Sequence, residues 1–157
     1  MEVRFAQAGD IPAILGLLRQ VGQVHHKARP DLFRSGAQKY GASQLLAMLE
    51  DPKTPIFVAA EGEKVLGYGF CRVKSYDHDP VFTDHTEVYI DDLCVEEACR
   101  GQGIGSTLYA QICRYAKMRQ ADRVTLNVWS GNEHAVAFYE KLGLQPQKIG
   151  LEMKLEG

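Results

Sequence analysis

Three glycines, Gly101, Gly103 and Gly105, fall within five residues, directly after Arg100 and before a run with helical periodicity. Glycine permits backbone angles that other residues avoid, and it lets a ligand approach the main chain closely. The first N–H groups of a helix have no partner inside the helix, so together with the helix dipole they favour an anion. An arginine beside them adds a charge-assisted contact. This stretch therefore predicts a site for a phosphate-bearing ligand.

The spacing of the glycines distinguishes between kinds of phosphate-binding loop. The Walker motif requires a lysine after its last glycine, and none follows here. The dinucleotide fingerprint G-x-G-x-x-G, counted from Gly101, fails because Ser106 occupies its last position. Asp122 lies at the start of the next predicted strand, whereas a ribose-binding acid belongs at the far end of that strand. The pattern that remains is R-x-x-G-x-G, beginning at Arg100.

Acidic side chains lie just before this loop, in the stretch EVYIDDLCV. The stretch has the composition of a β-strand, yet Asp91 and Asp92 stand in its middle. Strand alternation predicts Glu87, Asp91 and Leu93 on one face and Asp92 on the other. Buried carboxylates need partners or a chemical task, so the strand is a candidate for acid–base chemistry.

The elements that must position these residues follow from hydrophobic periodicity and from turn residues. The predicted strands span residues 3–7, 55–61, 65–76, 86–95, 123–129 and 148–155. The predicted helices span residues 9–24 and 42–51, a run from the glycine loop to about 119, and about 132–142. The order βαα-βββ-αβαβ predicts an α/β fold whose mixed, partly splayed sheet has helices on both faces. We expect a single domain over residues 1–157.

The composition of the chain disfavours several classes of function. The net charge of the 157-residue chain is −2, which gives no general attraction to nucleic acid. No apolar run approaches the ~20 residues that span a bilayer, and the first ten residues lack the apolar core of a secretory signal. We therefore expect a cytoplasmic protein with no membrane or nucleic-acid partner. The four cysteines lack metal-site spacing and are expected to be reduced.

The glycine loop and a second motif together resemble the GNAT superfamily of N-acetyltransferases. The stretch YIDDLCVEEACRGQGIGSTLY is similar to that family's central strand, pyrophosphate loop and following helix, and most similar to its polyamine-type members. The stretch LNVWSGNEHAVAFYEKLGL is similar to the next strand and helix, with the spacing N…A…Y…K-x-G. The resemblance covers nearly the whole chain. It implies transfer of an acetyl group from acetyl-CoA to a primary amine of a small molecule or peptide, by direct attack in a ternary complex.

The resemblance assigns the cofactor site residue by residue. In this family the loop and the first helical turn bind the pyrophosphate of acetyl-CoA, and the central strand offers unpaired backbone groups to the pantetheine arm. The implied pyrophosphate residues are Arg100, Gly101, Gln102, Gly103, Ile104, Gly105 and Ser106. The implied pantetheine residues are Leu93, Cys94 and Val95, with Asn132 and Ala135 on the other side of the arm. No metal is expected.

The resemblance also implies the catalytic residues. Tyr139 matches the tyrosine that protonates the departing CoA thiolate, and a thiol pKa of about 8.5 against about 10 for a phenol makes that transfer feasible. An alkyl amine has a pKa of about 10.4, so roughly one molecule in two thousand is neutral at pH 7 and a base is useful. Asp91 is the first choice for that base, and Glu87 is the second, acting through water. Asp92 is interpreted as structural, paired with a basic side chain on the opposite face.

The connector GQVHHKARPDLFRSG is expected to roof the acceptor pocket. The predicted acceptor-binding residues are His26, Phe33, Asp91 and Asp92, a set that suits an acceptor with an amine and an acidic group. The segment YDHDPVFTDH is interpreted as a polar loop rather than a metal site. Neither segment identifies the acceptor.

Two other classes of function stay open at this stage. A non-catalytic CoA-binding or sensory module could share the fold, but the retained Tyr139 and the paired acids disfavour it. A nucleic-acid-binding or scaffolding protein is disfavoured by the near-neutral charge. The predicted strand at the C-terminus would give the sheet an edge through which two copies could pair as a homodimer.

Overall fold

The computed structural model describes residues 1–156, which form two compact units over residues 1–127 and 128–156. The elements are β1 (Glu2–Phe5), α1 (Ile11–Ala28), α2 (Ala42–Glu50), β2 (Ile56–Glu61), β3 (Lys64–Tyr76), β4 (His85–Val95), α3 (Ile104–Met118), β5 (Arg123–Leu126) and α4 (Glu133–Lys141). All but α4 lie in the first unit. The expectation of one domain over the whole chain stays a prediction.

The first unit contains one five-stranded sheet in the order β1-β2-β3-β4-β5. The first four strands form an antiparallel meander, and β5 pairs parallel to β4 with α3 between them in sequence. A parallel pair needs such a long connection, whereas neighbouring antiparallel strands need only a turn. The predicted α/β class with a mixed sheet is therefore confirmed.

Helices cover both faces of this sheet. On one face, here called the α1 face, Ile14 and Leu18 of α1 and Leu45 of α2 share a buried cluster with Tyr68 and Phe70 of β3. On the other, here called the α3 face, one side of α3 packs against strand residues. That side consists of Ile104, Leu108, Ile112 and Ala116, whose spacing of four residues places them on a single stripe of the helix.

Two glycines of β3 let α3 lie close to the sheet. A Cβ atom added to Gly69 would lie 2.9 Å from Ile112 Cδ1 of α3, and one added to Gly67 would lie 3.2 Å from Leu108 Cδ1 of α3 and 2.8 Å from the Cys94 carbonyl oxygen of β4. Neither position admits a side chain unless a neighbouring atom shifts. The close packing fixes the start of α3 relative to the end of β4.

The structure differs most from the predicted elements in three places. The first helix continues to Ala28, because the polar residues after residue 24 need no apolar period at an exposed helix end, and cationic groups there suit the helix dipole. The strand β5 ends at Leu126 rather than at residue 129. Residues 148–155, predicted as a strand, lie outside helices and strands. A strand is stable only when its backbone groups are paired, which an alternating sequence cannot ensure.

Candidate active site

The turn between β4 and α3, here called the phosphate turn (residues 100–106), requires glycine for conformational reasons. Gly101 has φ +83° and Gly103 has φ +80°, both in the left-handed region that side chains disfavour. A Cβ at either position would have no described atom within 4 Å, so the requirement is not steric. The residues from Gly101 to Gly103 are exposed, and the turn thus presents its backbone to solvent.

The start of α3 has the character of an anion site. Gly103 is the N-cap residue, and among residues 1–156 no side chain caps the helix there. The first turn contains no acidic residue. Ile104 is buried in the α3-face cluster, which anchors the turn, while Gly103 before it and Ser106 after it are exposed. Unpaired N–H groups and the helix dipole at a fixed position favour a phosphate.

Arg100 lies beside this turn and connects it to β4. Its side chain is exposed, and its Nε donates a hydrogen bond to the Val95 carbonyl oxygen over 3.3 Å. The guanidinium is therefore held at the end of β4, next to the exposed glycines. It places a positive charge where the sequence predicted the pyrophosphate.

The strand β4 has an open edge beside the phosphate turn. Its parallel pairing with β5 ends at Ile90, opposite Leu126, whereas β4 itself continues to Val95. Within the described part of the chain, residues 91–95 therefore have no strand partner on the β5 side. The predicted pantetheine residues Leu93, Cys94 and Val95 lie in this stretch. An unpaired strand edge offers N–H and C=O groups to an extended ligand.

Cys94 is structural rather than nucleophilic. Its side chain is buried, and its Sγ lies 3.8 Å from the Leu17 carbonyl oxygen as a hydrogen-bond donor. Burial raises the pKa of the Cys94 thiol to about 12, so the thiolate is disfavoured at neutral pH. Only the backbone of this residue is available to a ligand at the strand edge.

A β-bulge changes the predicted arrangement of the carboxylates. Phe70 of β3 pairs with Asp92, and the next residue, Cys71, pairs with Ile90, so Asp91 is the extra residue. The bulge resets the alternation of β4, and Asp91 and Asp92 both face the α1 side of the sheet. The prediction that they occupy opposite faces is wrong, as is the placement of Leu93 with Asp91, because Leu93 packs in the α3-face cluster. Bulges commonly re-aim side chains in this way.

Both carboxylate oxygens of Asp91 are held by one short segment. Lys39 Nζ lies 3.0 Å from Oδ1, and the Tyr40 hydroxyl donates to Oδ2 over 2.7 Å. Arg72 in turn donates to the Tyr40 hydroxyl over 3.0 Å. The Asp91 side chain is only 12 % exposed. Asp91 thus already holds an ammonium group, which is what an amine acceptor would present.

The charges around Asp91 reinforce this arrangement. Burial by itself lowers the pKa of Lys39, but the hydrogen bond and the charge of Asp91 outweigh it, and the net pKa is raised. Burial and the hydrogen bond to Asp91 raise the pKa of Tyr40, against Arg72, which lowers it. Lys39 is therefore cationic and Tyr40 neutral at pH 7.

Asp92 has a different environment. Its Oδ2 accepts a hydrogen bond of 2.6 Å from the Tyr68 hydroxyl, so the predicted basic partner is wrong. Burial raises the pKa of Asp92, against the Tyr68 hydrogen bond and the Lys39 charge, which lower it. Burial and the nearby Asp92 charge raise the pKa of Tyr68 well above its usual range, so Tyr68 stays a neutral donor.

Glu87, the second predicted base, lies four residues before Asp91 on the same face of β4. Thr125 Oγ1 of β5 donates to Glu87 Oε2 over 2.6 Å, and the Tyr76 hydroxyl donates to Oε1 over 3.3 Å. These contacts fix the carboxylate at the point where β3, β4 and β5 lie side by side. Below, "the carboxylate cluster" means Asp91 and Asp92 with Lys39, Tyr40 and Tyr68.

The predicted acceptor roof is partly helical. His26 lies in the last turn of α1, and its Nδ1 lies 2.8 Å from the Phe33 carbonyl oxygen. The rings of His25 and Phe33 stack with centroids 4.9 Å apart. These contacts order the first part of the connector between α1 and α2. The residues that reach Asp91, however, are Lys39 and Tyr40 at its other end, which the sequence analysis missed because no motif marks a contact between residues so distant in sequence.

The second unit contains the remaining predicted residues. Asn132 is the N-cap of α4, and its Oδ1 accepts a hydrogen bond of 3.2 Å from the Ala135 N–H. Tyr139 lies on this helix, partly buried, with its ring edge-on to Phe138. Gly143 follows the helix at φ +98°. The motif thus forms a capped helix, with a positive-φ glycine after its end, that carries Tyr139.

Outside these regions, one loop brings possible metal ligands together. The ligand atoms of Asp77, His78 and Asp84 lie within 4.8 Å of one another, and all three residues are exposed. Asp84 Oδ1 also accepts from the His78 N–H over 3.0 Å, which a polar loop explains. None of the helices described, α1 being the longest, has the length and apolar character needed to cross a membrane.

Comparisons with known proteins agree with this geometry. The model of the acetyltransferase (GNAT) family matches residues 21–144. Thialysine N-epsilon-acetyltransferase of Mus musculus is 26 % identical over 146 residues, which cover 92 % of this chain and 82 % of that protein. Spermine/spermidine N(1)-acetyltransferase of Bacillus subtilis is 28 % identical over 103 residues, covering 62 % of this chain and 66 % of that one. The crystal structure of a mutant BH1408 protein from Bacillus halodurans matches with a TM-score of 0.93 at 34 % identity, covering 99 % of this chain and 100 % of that one.

The fold, the phosphate turn and these similarities define an acyltransferase. The chain belongs to the GNAT family of N-acetyltransferases, as the match over residues 21–144 shows. The resemblance stated from sequence is confirmed at the level of family, fold class and enzyme class.

Proposed function

We propose that this enzyme transfers an acetyl group from acetyl-CoA to a primary amine. The observation that carries the proposal is the uncapped, glycine-formed start of α3 directly beside the open edge of β4 over residues 91–95. The start of α3 suits the pyrophosphate of the cofactor, and the open edge of β4 suits its pantetheine arm, which contains amide groups. Bound acetyl-CoA supplies the activated thioester.

The phosphate turn fits the anionic end of this cofactor. Arg100 and the backbone N–H groups of residues 101–106 would hold the pyrophosphate, because the turn combines positive-φ glycines, a cation and an absence of acids in the first turn. The backbone of Leu93, Cys94 and Val95 would pair with the pantetheine arm. An N–H group at this edge is also suited to stabilise a developing oxyanion.

Asp91 binds the acceptor amine in this proposal and accepts its proton. Its carboxylate already holds the Lys39 ammonium at 3.0 Å, which shows that the site accommodates a cationic nitrogen. An acceptor ammonium competes with Lys39 for the same oxygen. Once bound, it must lose a proton before its lone pair can attack, and a carboxylate in contact with the nitrogen provides the nearest base. Glu87 is the second candidate for this role, acting through water.

Tyr139 is proposed as the acid that protonates the departing sulfur, on the strength of its place in the N…A…Y…K-x-G motif. Because this proposed catalytic residue lies in the second unit, we also propose that residues 1–157 act as one catalytic domain. The relatives named above act on compounds with primary amines, thialysine and spermine or spermidine, and this supports a small amine as acceptor. His26 and Phe33 at the far end of the connector remain proposed acceptor contacts.

The test is release of free CoA thiol from acetyl-CoA across a panel of amines, with mass spectrometry of the products. We expect at least one primary amine to be acetylated and Tyr139→Phe to lower kcat about tenfold or more while acetyl-CoA affinity is kept. Equal turnover by the variant would remove Tyr139 from its role. Binding of acetyl-CoA without acetylation of any amine would contradict the proposed function.

A further inference from the structure

One glutamine of α1 contacts the chain directly after β4, just before the phosphate turn. The Gln20 Nε2 group donates a hydrogen bond of 2.8 Å to Glu96 Oε2, and the Glu97 N–H donates to Gln20 Oε1 over 3.4 Å. An amide suits both contacts, because a carboxylate cannot donate and an ammonium cannot accept. The contacts also fix the orientation of the amide, since the reversed amide would oppose oxygen to oxygen and N–H to N–H. Gln20 therefore holds two consecutive residues at the entry of the turn.

The same side of α1 makes a second contact with β4, one helical turn earlier. Cys94 Sγ donates to the Leu17 carbonyl oxygen over 3.8 Å, and residues three apart, such as Leu17 and Gln20, share a helix face. The Glu96 N–H donates to the Leu66 carbonyl oxygen over 2.8 Å, so pairing with β3 continues to this residue. Cys94 packs in the α1-face cluster, and strand alternation places Glu96 on that face too. The Glu96 carboxylate is thus held across the sheet from α3.

These contacts bear on the anion site, because the next residues form it. A short 3₁₀ turn (Glu97–Cys99) leads directly to Arg100. Two acids, Glu96 and Glu97, therefore stand within four residues of the cation of the phosphate turn. Among residues 1–156, no carboxylate forms an ion pair with Arg100. A Glu96 side chain released from Gln20 would compete with a phosphate for that guanidinium.

We propose that Gln20 is a positioning residue for the phosphate turn. It keeps the Glu96 carboxylate on the α1 face and the Glu97 N–H in place, so that Arg100 and the backbone N–H groups meet the pyrophosphate without a competing acid. This role rests on the proposed binding of acetyl-CoA by the turn. Gln20 acts through its two glutamate partners, and its loss should therefore change the affinity for acetyl-CoA rather than kcat.

An exchange of the two side chains tests the pairing. Gln20→Glu brings two carboxylates together and should raise the dissociation constant of acetyl-CoA about tenfold in titration calorimetry, because a hydrogen bond to a charged group is lost. In the double variant Gln20→Glu, Glu96→Gln, the amide donates from the other side, while the new carboxylate at position 20 still accepts from the Glu97 N–H. Its net charge equals that of wild type. The dissociation constant should return to within about threefold of the wild-type value.

A pair of leucine variants separates this contact from the general loss of a hydrogen bond. Gln44 Oε1 accepts from the Gly41 N–H over 2.8 Å at the start of α2, so Gln44→Leu removes one glutamine contact outside the phosphate turn. It should keep the wild-type affinity for acetyl-CoA. Gln20→Leu should raise the dissociation constant about threefold or more. Equal losses in the two variants would overturn the proposal.

Hydrogen exchange of the unliganded protein gives a readout that needs no cofactor. The Cys99 N–H bonds to the Glu96 carbonyl oxygen, and the Arg100 N–H bonds to that of Glu97. Gln20→Glu should speed exchange of both amides about fivefold or more, and the double variant should restore the wild-type rates. Wild-type protein that binds no acetyl-CoA would contradict the proposed function, while these rates would still test Gln20.

Two results would overturn the positioning role. One is wild-type affinity and wild-type exchange in Gln20→Glu. The other is a double variant that folds, as its circular dichroism would show, but regains neither property. If the double variant does not fold, the two leucine variants decide the question.

Discussion

The start of α3 presents backbone N–H groups that no described side chain caps, whereas both oxygens of Asp91 and one of Asp92 are held by side chains from other elements. The phosphate turn is thus made of main chain and depends on two positive-φ glycines within one short stretch. The carboxylate cluster is made of side chains that a bulge and a distant connector bring together. A site of the first kind is local in sequence, and a site of the second kind is not.

This difference predicts which substitutions have the largest effect. Gly103→Val should lower acetyl-CoA affinity about 100-fold or more, since a side chain at φ +80° shifts the turn and several charge-assisted hydrogen bonds are lost together. The measurement is titration calorimetry with acetyl-CoA.

The matched control is Gly62→Val in the turn between β2 and β3, where φ is +61° and the position is equally open. Both variants should lose about 1–2 kcal/mol of stability from backbone strain, but only the first should lose the ligand. Equal affinity losses would show that strain, not the turn, is responsible.

A smaller effect is expected in the carboxylate cluster at Lys39. Lys39→Met should lower the KM of a cationic acceptor by up to about fivefold, because the partly exposed ion pair that the acceptor must displace is worth at most about 1 kcal/mol. Lys39→Arg keeps the charge and should keep the wild-type KM. Steady-state kinetics at saturating acetyl-CoA measures both. A raised KM in Lys39→Met would mean that Lys39 assists the acceptor instead of competing with it.

The smallest effect concerns stability at Asp92. Because the folded-state pKa of Asp92 is raised by burial, its protonated form stabilises the fold below the unfolded pKa, and that contribution is lost as pH rises through the folded pKa. Asp92→Asn lacks this loss, so its stability relative to wild type should increase with rising pH. Thermal melts from pH 4 to pH 8 measure the trend. Glu63→Gln, in the exposed turn after β2, should show no such trend, and a falling trend in Asp92→Asn would contradict the raised pKa.

Much of the fold could be predicted because it depends on local pattern. The periodic stripe of α3, the apolar strands β2 and β3 and the breaker Pro52 after α2 place those elements close to their observed bounds. The predicted strand at residues 148–155 failed for a different reason. Apolar and polar residues do alternate there as in a strand, but a strand also needs a partner strand, and the sequence does not state which one supplies it.

The candidate site also has a part that local sequence predicts and a part that depends on contacts between distant residues. The backbone conformation of the phosphate turn was predictable, since Gly101 and Gly103 both have the left-handed conformation expected of glycines there, while its ligand stays a prediction. The common face of Asp91 and Asp92 was not, because the bulge is a property of how β3 pairs with β4. Lys39 and Tyr40 carry no motif, and their contacts with Asp91 span 52 and 51 residues. Chemistry built on side chains from several elements needs the structure.

Asp91 and Asp92 allow the most direct test, because they are neighbouring residues of the same type whose hydrogen-bond partners differ. Acetyl transfer to the best amine of the panel should be measured for wild type, Asp91→Asn and Asp92→Asn in one assay. We predict a fall in kcat/KM of about 100-fold or more for Asp91→Asn, the loss typical of a general base. For Asp92→Asn we predict a change within about fivefold, because the side-chain amide oxygen of that variant can still accept from the Tyr68 hydroxyl. Wild-type kcat/KM in Asp91→Asn, or a larger loss in Asp92→Asn, would contradict these predictions.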